Sequence, residues 1–296
     1  MKNPIFTGCG VAIVTPMLPD GKVNFAKLDE LIDFQIQSGI DSIVICGTTG
    51  ESSTLTAEEH IGTITHTIDY VGGRCKVIAG TGSNNTAHAL EVSKAAADAG
   101  ADALLLVTPY YNKTTQKGLV EHYTYIADRV SAPLIVYNVP SRTGVGMTVE
   151  TYQQLSKHPN INGVKEASGN IALAARTIAA CGDEFNVWSG NDDQIAPLMS
   201  IGAKGVISVL ANLCPAETVQ MSHLCLEGNY AEAGKMQVEY MELIDALFCE
   251  VNPIPIKTAL NLLGQEVGPL RLPLCEMEEK NLEKLKAVLN KYGYVV

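Results

Sequence analysis

Short, nearly unbroken apolar runs recur through the first two thirds of the chain: Val11–Val14, Ser42–Cys46, Val77–Ala79, Ala103–Val107, Leu134–Tyr137, Ile161–Lys165, Asn186–Trp188 and Gly205–Ser208. Each is too short for a helix and lacks the strict alternation of a strand with one wet face. That pattern belongs to strands buried on both faces of a parallel sheet. Between the runs, apolar residues return at helical spacing. Phe25, Leu28, Leu31 and Ile32 form one such stripe, with Asn24 placed to cap it and Gly39 to close it. Thr56-Ala-Glu-Glu59 is a capping-box sequence at the head of another.

Eight strand–helix units in about 220 residues predict an α/β fold, a (β/α)8 TIM barrel. A doubly wound open sheet is the rival, but it carries a Gly-rich nucleotide turn after its first strand, and none follows Val11–Val14. From about residue 226 no strand pattern returns. Met236, Tyr240, Met241, Ile244 and Leu247 make one helical stripe; Ile256, Ala259, Leu260 and Leu263 make a second, and Leu282, Leu285, Val288 and Leu289 a third. The pattern therefore divides the chain into a catalytic barrel over 1–225 and a small helical domain over 226–296. Asn252-Pro-Ile-Pro255 breaks the first two helices apart.

Composition narrows the function. The 296 residues carry a formal net charge of −11 with no basic run, which argues against binding nucleic acid or an anionic membrane surface. No apolar stretch approaches the roughly 18 residues of a membrane span, and Met1–Gly10 lacks the apolar core of a cleaved signal. Eight cysteines, none closer than eleven positions to the next, leave no Cys-x-x-Cys spacing for zinc or redox work. They read as small buried thiols in a reducing cytoplasm.

In a barrel of this kind, chemistry gathers at the C-terminal ends of the strands. Lys165 ends the sixth run, where an ammonium is costly to bury. One reading pairs it with Glu166. The other makes it a Schiff-base nucleophile: at pH 7 an ordinary lysine is neutral in only about one molecule in 2,500, and desolvation raises that fraction. Tyr137 lies 28 residues earlier, one strand–helix unit back, so it should stand beside Lys165 at the same height and could shuttle protons. Gly47-Thr-Thr-Gly50 offers backbone donors and hydroxyls suited to a carboxylate, and Arg142 a bidentate carboxylate site over the same face.

The sequence resembles the dihydrodipicolinate synthase family of class I pyruvate aldolases and lyases. The resemblance is carried by Gly47-Thr-Thr-Gly-Glu-Ser52, Ala79-Gly-Thr-Gly82, Pro109-Tyr-Tyr-Asn112, Tyr137-Asn-Val-Pro-Ser-Arg-Thr-Gly144, Val164-Lys-Glu-Ala-Ser-Gly169 and Ser189-Gly-Asn-Asp192. It implies a Schiff base between Lys165 and pyruvate, a proton relay of Tyr137, Thr48 and Tyr111, and Tyr111 reaching into a neighbouring subunit's site. It further implies that Thr48 and Thr49 hold the pyruvate carboxylate, that Arg142 holds the carboxylate of L-aspartate 4-semialdehyde, and that Gly190 and Ile207 line the pocket. No metal or organic cofactor is implied, since the protonated imine is itself the electron sink. The expected assembly is a homotetramer built as a dimer of dimers.

A lysine feedback site matches in part, through Ser52, Ser53, His60, Asn84 and Tyr110. Ala57 and His88 replace a histidine and an acidic residue there, so weak inhibition or none is expected. N-acetylneuraminate lyase and 2-keto-3-deoxygluconate aldolase are the alternatives within the superfamily, and Arg142 favours the synthase. A non-catalytic metabolite sensor would have no need of Lys165.

Overall fold

The computed structural model describes residues 1–296. Its eight strands are β1 Gly8–Ala12, β2 Ser42–Ile45, β3 Lys76–Gly80, β4 Ala103–Val107, β5 Leu134–Asn138, β6 Ile161–Glu166, β7 Asn186–Ser189 and β8 Gly205–Ser208. Each pairs in parallel with the next, and β8 returns to β1, so the sheet closes as a barrel in sequence order. The intervening helices are α1 Phe25–Gln37, α2 Ala57–Val71, α3 Thr86–Asp98, α4 Gln116–Ala127, the single turn α5 Pro140–Thr143, α6 Val149–Ser156, α7 Ile171–Cys181, α8 Ile195–Ser200 and α9 Pro215–Leu226. Then come α10 Tyr230–Leu247, α11 Ile254–Leu262 and α12 Glu279–Lys291.

The local signals act as their chemistry dictates. Asn24 accepts the Lys27 N–H at the head of α1, and Thr56 and Glu59 satisfy each other's backbone donors at the head of α2. Strand side chains alternate between two cores. Ala12, Val44, Ile78, Leu105, Ile135, Trp188 and Ile207 fill the barrel, while a larger cluster packs between sheet and helices.

The first strand departs from its apolar pattern. It runs from Gly8 to Ala12 rather than over Val11–Val14. Gly8 and Gly10 pair with Gly205 and Ile207, but they have no apolar side chains to announce a strand. The Ile13 N–H still donates to the Val44 carbonyl of β2 at 3.2 Å, and the chain leaves the ladder at Val14, whose N–H turns to the Asn212 side chain at 3.0 Å. At the far end of β2, Cys46 takes a left-handed φ of 55° and redirects the chain into the Gly47–Glu51 loop.

Helix α10 packs against α8, α9 and α12. The connection from α10 to α11 then crosses the C-terminal mouth of the barrel, where Phe248, Glu250, Val251 and Asn252 form part of a cavity wall. No helix is long and apolar enough to cross a membrane.

Candidate active site

Two rungs of the β5–β6 ladder organise the site. Tyr137 is the register partner of Lys165, and Asn138 of Glu166. Because neighbours on a strand face opposite ways, the first pair points into the barrel and the second out toward α6. Outside, the Glu166 carboxylate accepts from Tyr152 Oη at 2.7 Å, from Asn138 Nδ2 at 3.1 Å and from the Ser168 N–H at 2.8 Å. Glu166 is therefore no partner for Lys165, and the salt-bridge reading of that lysine falls away.

Lys165 is 6% exposed, and its Nζ lies 4.5 Å from the centre of the Tyr137 ring. Burial lowers its pKa to about 8; the Asp192 carboxylate works against that shift, and the Arg142 guanidinium adds to it. At that value about a tenth of the amine is neutral at pH 7, a gain of roughly 200-fold over an ordinary lysine. Burial also raises the Tyr137 phenol, opposed by the Arg142 charge and the Thr48 hydroxyl, so this residue stays protonated and able to donate. Gly190 fits here because a Cβ would stand 2.7 Å from Ala167 Cβ and 3.0 Å from Lys165 Cε. Any side chain at 190 would push the lysine out of place.

A cavity of about 370 Å³ opens above these residues, with Thr48, Thr49, Tyr137, Arg142, Lys165 and Gly190 in its wall. Arg142 sits at the end of α5, an exposed turn, and its Nη2 donates to the Asn252 carbonyl at 3.1 Å. Thr49 is buried, and its hydroxyl accepts from Asn252 Nδ2 at 3.0 Å. Ile207 lies deeper, in the packed interior of the barrel, and Val209 stands at the cavity wall. Nowhere do three or more His, Cys, Asp or Glu side chains converge as a metal site would require.

Two further residues act on the groups of the site. Asp192 is buried, with Oδ2 accepting the Val209 and Leu210 N–H groups at 3.0 and 2.9 Å, and its charge acts on Lys165. Its motif is visible in the sequence, but nothing in the motif says that this carboxylate's charge reaches the nucleophile. In the sequence, Asn252 reads only as part of a helix break.

Tyr111 stands apart. It is 90% exposed, with a left-handed φ of 66°, and it is absent from the cavity wall. A second cavity, of about 400 Å³, gathers Ser52, Ser53, His60, His88 and Tyr110, with Ala57 among them. Asn84 lies outside its lining, with its carbonyl accepting Asn112 Nδ2 at 3.0 Å. Thr48 and Arg142 line both cavities, so the two share a wall. His60 donates from Nε2 to the Gly80 carbonyl at 2.7 Å, and burial lowers its pKa, keeping the ring neutral.

The model of the dihydrodipicolinate synthetase family matches residues 5–292. The chain belongs to this family. It is 59% identical over 291 residues to the 4-hydroxy-tetrahydrodipicolinate synthase of Thermoanaerobacter sp. (strain X514), covering 98% of each chain. Among solved structures, it resembles the chloride-inhibited dihydrodipicolinate synthase of Acinetobacter baumannii complexed with pyruvate. That match has a TM-score of 0.95 and 44% identity, and covers 98% of this chain and 99% of that one. The DHDPS of Cyanidioschyzon merolae with lysine bound gives a TM-score of 0.95 at 39% identity, covering 99% and 100%.

Proposed function

We propose that the 370 Å³ cavity condenses pyruvate with L-aspartate 4-semialdehyde, the activity named for the family relatives of this chain. The observation that carries the reading is Lys165: a buried amine at the cavity wall, partly neutral at pH 7, lying against a protonated tyrosine. The neutral amine adds to the pyruvate ketone, and Tyr137 delivers the proton that lets water leave, giving a protonated imine. Loss of a methyl proton makes the enamine, which attacks the aldehyde carbon. The amino group of the second substrate then adds to the imine carbon, closes the ring and releases Lys165. Thr48 and Thr49 hold the pyruvate carboxylate, and Thr48 and a neighbouring subunit's Tyr111 extend the proton relay. Arg142 holds the carboxylate of the aldehyde, while Gly190 leaves the space that the lysine needs.

Arg142 separates this reading from a sugar-acid lyase. Arg142→Ala should raise the aldehyde KM while imine formation with pyruvate survives, lowering kcat/KM by roughly 30- to 150-fold for the loss of one charge-assisted contact. An unchanged aldehyde KM, or efficient cleavage of N-acetylneuraminate by the wild type, would move the assignment to the lyases. In the same assay, L-lysine should inhibit weakly or not at all at millimolar concentration. The second cavity offers it Ser52, Ser53, His60 and Tyr110 but only His88 where an acid would grip an ammonium. Cooperative sub-millimolar inhibition contradicts that expectation.

A further inference from the structure

The Thr48–Glu51 loop is held from outside the barrel, at Thr49 and at Glu51, by the start of α11 and the connection before it. Asn252, 5% exposed, donates from Nδ2 to Thr49 Oγ1 at 3.0 Å. Five residues on, Lys257 reaches Glu51 Oε1 at 2.7 Å, in an ion pair whose side chains are 1% and 0% exposed. The other Lys257 donors go to the Pro269 and Thr15 carbonyls at 2.7 and 3.3 Å, and Glu51 Oε2 accepts the Arg271 N–H at 2.9 Å. Every proton of the ammonium thus has an acceptor, the condition under which a buried pair holds one geometry. Glu51 itself sits at a left-handed φ of 53° and donates its N–H to the Thr48 carbonyl at 3.1 Å. Moving its side chain would move the turn that carries both threonines.

The donation from Asn252 has a chemical consequence. A threonine hydroxyl has one proton, and an oxygen whose lone pair is already engaged keeps that proton for another partner. Thr49 Oγ1 accepts from Asn252 while Thr49 lines the cavity, so its own proton is not spent on that bond and is free to be donated.

We infer that Asn252 and Lys257 are positioning residues for substrate carboxylate binding: Asn252 orients the Thr49 hydroxyl, and Lys257, through Glu51, fixes the loop that carries it. The inference rests on Thr48 and Thr49 being the pyruvate-carboxylate site. Borohydride trapping of pyruvate on Lys165, titrated with pyruvate, reads that site without the second substrate. Asn252→Ala should raise the half-saturating pyruvate concentration roughly five- to ten-fold, the worth of about one hydrogen bond. The aldehyde KM should stay near its wild-type value, because Arg142 is held by the Asn252 backbone carbonyl, which alanine keeps.

In a Thr49→Val background the same change should add nothing, since there is no hydroxyl left to orient. A residue that merely supports the fold would lower the melting temperature and act alike in both backgrounds. Lys257→Met alone leaves a buried carboxylate unpaired and threatens folding. The paired Glu51→Gln/Lys257→Met variant removes both charges and should also bind pyruvate more weakly. Unchanged half-saturation in Asn252→Ala, additive effects with Thr49→Val, or wild-type half-saturation in the paired variant overturns the inference while the wild-type adduct persists. If the wild type forms no adduct at Lys165, the carboxylate reading fails and takes the inference with it.

Discussion

Lys165 opposes the stability of the barrel that holds it. Its pKa is near 8 in the folded chain, against about 10.4 for a solvated lysine. Between those values the unfolded chain binds more protons, so folding stability rises with pH across that window and is lowest below it. Lys165→Met removes the buried ammonium at similar volume. It should stabilise the protein at pH 7, by on the order of 3 kcal/mol at most, while abolishing activity. The gain should shrink as pH climbs through 8 and vanish above about 10.4. Chemical denaturation of both proteins at pH 7 and pH 10 measures it; a gain that grows with pH would contradict a desolvated amine. Asp192 and Arg142 act on the same amine with opposite signs, and only folding brings them to it.

At the level of elements, the β5–β6 ladder aligns the chemistry. Its inner rung carries Tyr137 and Lys165, and the outer rung, Asn138 and Glu166, is locked against α6 by Tyr152. Tyr152→Phe keeps the ring beside Phe185 but takes one donor from a buried carboxylate. It should destabilise by about 1–3 kcal/mol in a urea titration; no change in midpoint would mean that the lock does not depend on that bond. The inner rung was legible in the sequence because a polar residue closes each of two apolar runs one strand–helix unit apart. The start of β1 was not, since Gly8 and Gly10 enter the ladder by backbone alone. Asn252 and Lys257 were hidden for another reason: each acts on a loop more than 200 residues away, and local pattern carries no trace of so distant a contact.

For the whole molecule, the single chain brings Lys165, Tyr137, Thr48, Thr49 and Arg142 around one cavity and leaves Tyr111 on its surface. Tyr111 is 90% exposed, so the proposed relay role requires a second subunit to bring it to a site. Inactive Lys165→Ala protein mixed with inactive Tyr111→Phe protein should recover part of the activity, because exchange places both intact residues in one site. Subunits that exchange freely without recovery would count against a shared site. The proposed reaction turns on Lys165 as the nucleophile toward pyruvate, and the most direct measurement is peptide mapping after incubation with pyruvate and borohydride. The wild type should carry one adduct per chain, on the peptide containing Lys165, and Lys165→Arg should carry none. An adduct on another lysine, or full labelling of Lys165→Arg, would contradict the account.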